Sequence, residues 1–120
     1  MAAKDVLGRH GEDAAARLLT SEGLTLVARN WRCGEGELDL VAVDGADLVI
    51  VEVKTRSSEL YGHPLEAVDG RKRRRLLRLA VAWAAEHPGL AGGRRLRVDA
   101  IAVTGRSPET FVLEHLRDIR

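Results

Sequence analysis

The fold turns on residues 36–54, Gly36-Glu37-Leu38-Asp39-Leu40-Val41-Ala42-Val43-Asp44-Gly45-Ala46-Asp47-Leu48-Val49-Ile50-Val51-Glu52-Val53-Lys54. Two runs rich in Val, Leu and Ile, Glu37 to Val43 and Ala46 to Lys54, flank Asp44-Gly45, a strong signal for a tight β-hairpin. With Asp44 and Gly45 as the two turn residues, Val43 opposes Ala46, Asp39 opposes Ile50 and Glu37 opposes Glu52. Side chains alternate between the faces of a strand, so Glu37, Asp39, Val41, Val43, Leu48, Ile50, Glu52 and Lys54 share one face. Leu38, Leu40, Ala42, Val49, Val51 and Val53 fill the other. Three carboxylates and one ammonium thus gather at the open end of the hairpin, with diagonal neighbours roughly 7–8 Å apart.

Opposed like charges destabilise a sheet, and a purely structural hairpin would keep them out of aliphatic strands. A divalent cation, bound by hard oxygen ligands, removes the repulsion. Such an ion also polarises a phosphoryl oxygen and acidifies a bound water. Lys54, two residues beyond Glu52 on the same face, is placed to position that water or to stabilise charge developing on a phosphate. The competing reading is an exposed salt-bridge ladder, Glu52–Lys54 beside Glu37–Arg56. Aliphatic runs such as Leu48 to Val51 disfavour it.

Outward from the hairpin the chain reads α-β-β-β-α-β-β. Asp5 is placed as the N-cap of a first helix whose apolar residues Val6, Leu7, Ala14, Ala15, Leu18 and Leu19 recur at helical spacing up to Gly23, its C-cap. Gly8 and Gly11 weaken that helix by about 1 kcal/mol each relative to Ala. Leu24 to Trp31 alternates as a strand, and residues 32–36 form a loop. Residues 55–64 are a polar loop following the third strand, and Tyr61 and His63 read as residues of that loop. Leu65 to Glu86 has a helical stripe of Val68, Leu76, Leu79, Ala80, Trp83 and Ala84. A fourth strand spans Arg95 to Thr104, residues 105–108 turn, and Thr110 to Leu116 is a fifth strand. These elements predict a single α/β domain over residues 1–120: a mixed central sheet of about five strands, flanked by two helices, both faces covered.

Composition narrows the function classes. The chain has 120 residues, 45% hydrophobic and 31% charged, with three Pro. That is a globular composition, neither disordered nor collagen-like. The longest apolar run, Leu79 to Ala85, falls far short of the ~20 residues of a membrane span. Charged residues from Lys4 to Asp13 stand where a signal peptide would be apolar. One cysteine, Cys33, permits neither an internal disulfide nor a CxxC zinc site. The expectation is a soluble cytoplasmic protein with no membrane partner. Residues 1–60 carry seven Lys/Arg and eleven Asp/Glu, net −4, and residues 61–120 carry twelve and seven, net +5. This asymmetry points to a polyanion or to self-neutralisation. With 3% aromatics the composition disfavours a base-stacking platform. The basic run Arg71-Lys72-Arg73-Arg74-Arg75 with Arg78 has no acid before Glu86 to compensate it, so a phosphate backbone suits it. Consecutive residues circle a helix, so only some of them face one ligand. Arg71, Lys72, Arg74, Arg75 and Arg78, with Arg56, are the candidate nucleic-acid contacts. His10, His87 and His115 read as surface residues, Cys33 as an inert thiol, Trp31 and Trp83 as core anchors. Asp99, between Val98 and Ala100, reads as a buried polar contact to the first helix.

Gly36-Glu37-Leu38-Asp39-Leu40-Val41-Ala42 followed by Val51-Glu52-Val53-Lys54-Thr55-Arg56 resembles the active-site hairpin of the PD-(D/E)XK nuclease superfamily. The whole chain more closely resembles the small bacterial YraN family, similar in fold to archaeal Holliday-junction resolvases. Gly11-Glu12-Asp13-Ala14-Ala15, Arg29-Asn30-Trp31-Arg32, Glu66-Ala67-Val68 and Arg97-Val98-Asp99 extend the likeness over nearly the full length. The chain departs from the superfamily's name in carrying Leu38, not Pro, before Asp39. The resemblance implies a restriction-endonuclease-like fold and a Mg²⁺- or Mn²⁺-dependent DNA endonuclease, with branched or repair-intermediate DNA among its substrates. It implies Asp39 and Glu52 as metal-binding acids, Lys54 as the catalytic lysine, and Glu12 as the first-helix glutamate completing the metal site. Glu37 matches the Gly-Glu-x-Asp signature as a supporting residue. A two-fold homodimer stays open, with no dimer surface legible. The alternatives are a non-catalytic nucleic-acid-binding module that retains the fold, and a scaffold whose basic helix meets an acidic protein.

Overall fold

The central strand explains the architecture. A computed structural model describes residues 3–60 and 62–120, so Tyr61 lies outside the described residues. Strands β1 (Thr25–Cys33), β2 (Gly36–Asp44), β3 (Asp47–Arg56), β4 (Arg95–Thr104) and β5 (Val112–Leu116) form one sheet in sequence order. Only β3 and β4 run parallel, in unbroken register from Asp47 against Arg95 to Arg56 against Thr104. A strand inside a sheet with both faces covered reads as a continuous apolar run, and Leu48, Val49, Ile50 and Val51 are fully buried.

Helix α1 (Ala3–Ser21) covers one face, where Ala15 and Leu19 meet Leu40, Ala42, Val49, Val51, Ile101 and Val103. Helix α2 (Gly70–Glu86) covers the other, where Leu76, Leu79 and Trp83 meet Val41, Leu48, Ile50 and Val98. A four-residue helix α3 (Pro88–Ala91) follows it. The expected sheet and its two flanking helices are present. Among the described residues no helix is long and apolar enough to cross a membrane.

Local details depart from the expectation for identifiable reasons. Helix α1 starts at Ala3, so Asp5 lies in its first turn and is not the cap. Its other end is as expected. Gly23, at φ +92, lets its own N–H reach Thr20 O and the Leu24 N–H reach Leu19 O, both orphan carbonyls of the last turn. The loop expected at 32–36 shrinks to Gly34-Glu35, because Cys33 pairs with Gly36. Helix α2 begins five residues later than expected, at the Asp69 cap, whose carboxylate accepts the Lys72 N–H at 2.9 Å. Residues 64–67 form a separate 3₁₀ turn capped by His63.

Far from the hairpin's open end, on the α1 face, a polar cluster is fully paired. Arg97 Nε and Nη2 donate to the two oxygens of buried Asp99 at 2.9 and 3.0 Å. Its Nη1 donates to Asp44 and Asp47. The Asp118 N–H also donates to Asp99. The His115 side chain is 5% exposed, against the surface position expected for it, with Nε2 2.8 Å from Asp99 and Nδ1 2.7 Å from Glu22. Asp99 therefore reaches Glu22, just past α1, through His115. Burial lowers the His115 pKa, but the hydrogen bonds its ring donates to Asp99 and Glu22 outweigh it and raise the value. Both ring nitrogens face acceptors, which favours the doubly protonated ring. His87, also expected at the surface, stacks on Trp83 with ring centroids 3.9 Å apart.

Removing one partner of a buried ion pair strands the other. Asp99→Ala is accordingly expected to cost about 3–5 kcal/mol in urea unfolding. A loss under 1 kcal/mol would contradict this role for the cluster.

Candidate metal centre

The hairpin turn sits one residue later than expected. Asp44 pairs with Asp47 and Val43 with Leu48, leaving Gly45 and Ala46 as the turn. Gly45 has φ +58, the first-position geometry of a hairpin turn that favours glycine there. Asp44 is thereby released to accept from Arg97. The register moves by two residues, so parity holds, but the levels change. Extended past Leu40–Val51, this register sets Asp39 against Glu52, where Ile50 was expected.

The β2–β3 ladder stops at Leu40–Val51. Beyond it the Val53 N–H donates to Asp39 Oδ2 at 2.9 Å, so a side chain replaces the missing ladder bond. Here β2 stays paired with β1, which carries Asn30 at φ +52 opposite Asp39's level. Alternation fails in this segment: Leu38, expected on the α1 face, packs in the α2-side cluster.

The parting of the strands opens a cavity of about 280 Å³, lined by Glu37, Asp39, Glu52, Lys54, Lys72 and Arg75 over Leu76 and Leu79. Asp39, Glu52 and Lys54 thus line one cavity. Burial, then the hydrogen bond and charge of Glu52, push the Asp39 pKa up to about 8, against the pull of the Val53 N–H. Burial would raise Glu52 too, but the Asp39 hydrogen bond, followed by Lys72 and Lys54, lowers it. Of the two acids, Asp39 is the one driven toward its protonated form. Glu52 is buried, and its Oε2 receives no well-directed hydrogen bond. Lys72 Nζ stands 2.9 Å from that oxygen, close enough to pair by charge though off hydrogen-bond direction.

The other candidates distribute around this pair. Glu12 is half-buried on α1, 3.9 Å from Arg29. Burial raises its pKa more than Arg29 and Asn30 lower it, and it feels the charge of Glu37. Among the described residues no three acids, histidines or cysteines converge as a metal set, so Glu12 stays outside the carboxylate pair. Glu37 lines the cavity while pairing with Arg32 at 2.9 Å. Arg56 is exposed and lines a separate cavity on the α1 side, shared with Lys54 and Glu12.

The basic run divides by direction. Arg71, Arg74, Arg75 and Arg78 are exposed and, at spacings of three and four, share one stripe about 100° wide. Lys72 points inward with Leu76 and Leu79, and Arg73 Nε donates to Ile119 O at 2.6 Å. Sequence reasoning grouped Lys72 with the backbone contacts and missed its place at the acids. It also counted Gly11 only as a weak helix former. A Cβ there would lie 2.0 Å from Thr55 Oγ1, so only glycine lets α1 approach β3 this closely beside Glu12 and Lys54.

The sequence profile described as uncharacterised protein family UPF0102 matches residues 11–103. The chain belongs to this family, the YraN family. It is 54% identical to a UPF0102 protein of Beutenbergia cavernae over 119 residues, 99% of each chain. It is 53% identical to one of Arthrobacter sp. (strain FB24), again over 99% of each chain. A UPF0102 protein of Frankia casuarinae is 52% identical over 98% of each. Gly11, Glu12, Asp39, Glu52, Lys54 and Lys72 all lie within the span matched to UPF0102.

With a folded pKa near 8 against an ordinary 3.8, Asp39 favours the fold fully only below about pH 4. That contribution is lost as pH rises toward 8, since the unfolded chain ionises Asp39 freely. Asp39→Asn removes the loss and is expected to stabilise the protein by about 1 kcal/mol at pH 8 in chelator. The gain should shrink below pH 5, as thermal melts across pH will show. Parallel profiles for the two proteins would contradict the raised Asp39 pKa.

Proposed function

We propose that this protein is a Mg²⁺-dependent nuclease that hydrolyses DNA phosphodiester bonds. The observation carrying the reading is half-buried Asp39 beside buried Glu52 where the strands part, with the pKa of the first raised and one oxygen of the second met by the charge of Lys72 without a directed hydrogen bond. Lys54 lines the same cavity. Carboxylates arranged this way are poised to exchange a proton for a cation. The donor set suits Mg²⁺, which takes one or two carboxylates and completes its shell with water and substrate phosphate. Asp39 and Glu52 would hold the ion, with Glu12 in support. When bound it supplies a Lewis acid at the phosphoryl group.

The chain's own residues do the remaining work. Lys54, a donor only, orients the attacking water and stabilises charge growing on the phosphoryl oxygens. Leu76 and Leu79 floor the cavity and lower its local dielectric, which strengthens that interaction. Arg71, Arg74, Arg75 and Arg78 line one exposed ridge of α2, suited to phosphates through charge-assisted hydrogen bonds. Arg75 belongs to both ridge and cavity, which joins backbone grip to the scissile position. Such contacts read the backbone and not the bases.

The test is cleavage of branched, nicked and single-stranded DNA by purified protein with Mg²⁺ or Mn²⁺. Cleavage is expected with metal and absent in chelator, and Lys54→Ala should lower the rate by about 10² or more. Arg74→Ala and Arg78→Ala should weaken binding across sequences and each flatten the salt dependence by about one. Metal-independent, salt-sensitive DNA binding without cleavage would overturn the enzymatic reading and leave a nucleic-acid-binding module.

A further inference from the structure

Lys72 occupies a position that helix packing does not explain. The Asp69 cap fixes the first turn of α2 by accepting the Lys72 N–H. At four and seven residues from Leu76 and Leu79, Lys72 shares their inward face, where an apolar side chain would complete the stripe. A cation in the first turn of a helix also opposes its dipole. What the charge meets is Glu52, whose Oε2 lies 2.9 Å from Nζ and has no directed hydrogen bond. The Lys72 side chain keeps a solvent-exposed edge, 29% of its surface, while that of Glu52 keeps 8%. The carboxylate is fixed in the wall, and the ammonium has a way out.

We infer that Lys72 is an exchangeable counter-ion, which neutralises Glu52 while no divalent cation is present and is displaced when one binds. The inference rests on the metal-centre reading above. Lysine suits the part better than arginine: its compact point charge sits on a flexible stem and makes no rigid bidentate clamp. Two positive species cannot occupy one carboxylate's contact shell at close range without repulsion, so binding of one lowers the affinity for the other. Displaced from Glu52, the side chain leaves through its exposed edge beside Arg75, which lines the same cavity. Lys72 is in this sense a positioning residue that keeps the empty centre neutral and its walls from parting.

The experiment is Mn²⁺ titration of the full chain at pH 8, following free Mn²⁺ by electron paramagnetic resonance. Wild type is compared with Lys72→Met, Lys72→Gln, Lys72→Arg and Glu52→Gln, each checked for folding by circular dichroism. Both neutral variants are expected to bind Mn²⁺ about tenfold more tightly than wild type, on the scale of one partly desolvated ion pair. Lys72→Arg, a tighter clamp on Glu52, should bind Mn²⁺ no more tightly than wild type, and Glu52→Gln should lose binding. Should Lys72→Met fail to fold, Lys72→Gln decides. Equal or weaker Mn²⁺ affinity in the folded neutral variants, with binding still lost in Glu52→Gln, overturns the counter-ion while leaving the metal site intact. No Mn²⁺ binding by any form overturns both. Tighter binding without DNA cleavage by any form upholds the counter-ion and removes the nuclease reading.

Discussion

One hydrogen bond organises the candidate centre: the Val53 N–H donating to Asp39 Oδ2. Where β2 and β3 part beyond Leu40–Val51, the backbone of an interior strand would be left with an unpaired donor, a costly arrangement. A carboxylate reaching across from β2 satisfies it. The same bond pins Asp39 beside Glu52, and the parting it tolerates makes room for the cavity. Local failure of sheet pairing and construction of a site are here a single event. Gly11 serves the same end from the other layer, letting α1 settle on Thr55 next to Lys54.

The two ends of the sheet treat buried charge in opposite ways. Around Asp99 the acids and bases interlock, with Arg97, His115 and the Asp118 N–H all meeting one carboxylate. Nothing there is left to bind a further ion. At the hairpin's open end one acid is driven toward its protonated form, one oxygen of the other lacks a directed partner, and one lysine balances the charge. Buried polar networks that are fully satisfied stiffen a fold, whereas half-satisfied ones are strained and are kept where function needs them. The contrast lies within one chain of 120 residues: one cluster of charge is closed on itself, the other is left open to a cavity.

Much of this was legible in the sequence because strand parity is robust. Moving the turn from Asp44-Gly45 to Gly45-Ala46 shifts pairing by two residues, which keeps Asp39, Glu52 and Lys54 around one cavity. Only their levels changed, since Asp-Gly suits a turn in more than one frame. What escaped was three-dimensional. Leu38 changed side because the sheet parts there, and no periodicity reports a parting. His115 joins groups 93 and 16 residues away, a spacing that local patterns do not encode. Lys72 was hidden among four arginines that share an exposed stripe, although its spacing from Leu76 and Leu79 already marked it as inward. Gly11 carried a helix penalty whose reason lies on the neighbouring strand.

The most direct test of the centre is anomalous diffraction from crystals of this protein equilibrated with Mn²⁺, collected at the manganese edge. The account predicts a single strong peak in contact with the carboxylates of Asp39 and Glu52. Saturating Mn²⁺ with no peak there, and Lys72 still paired with Glu52, would contradict it.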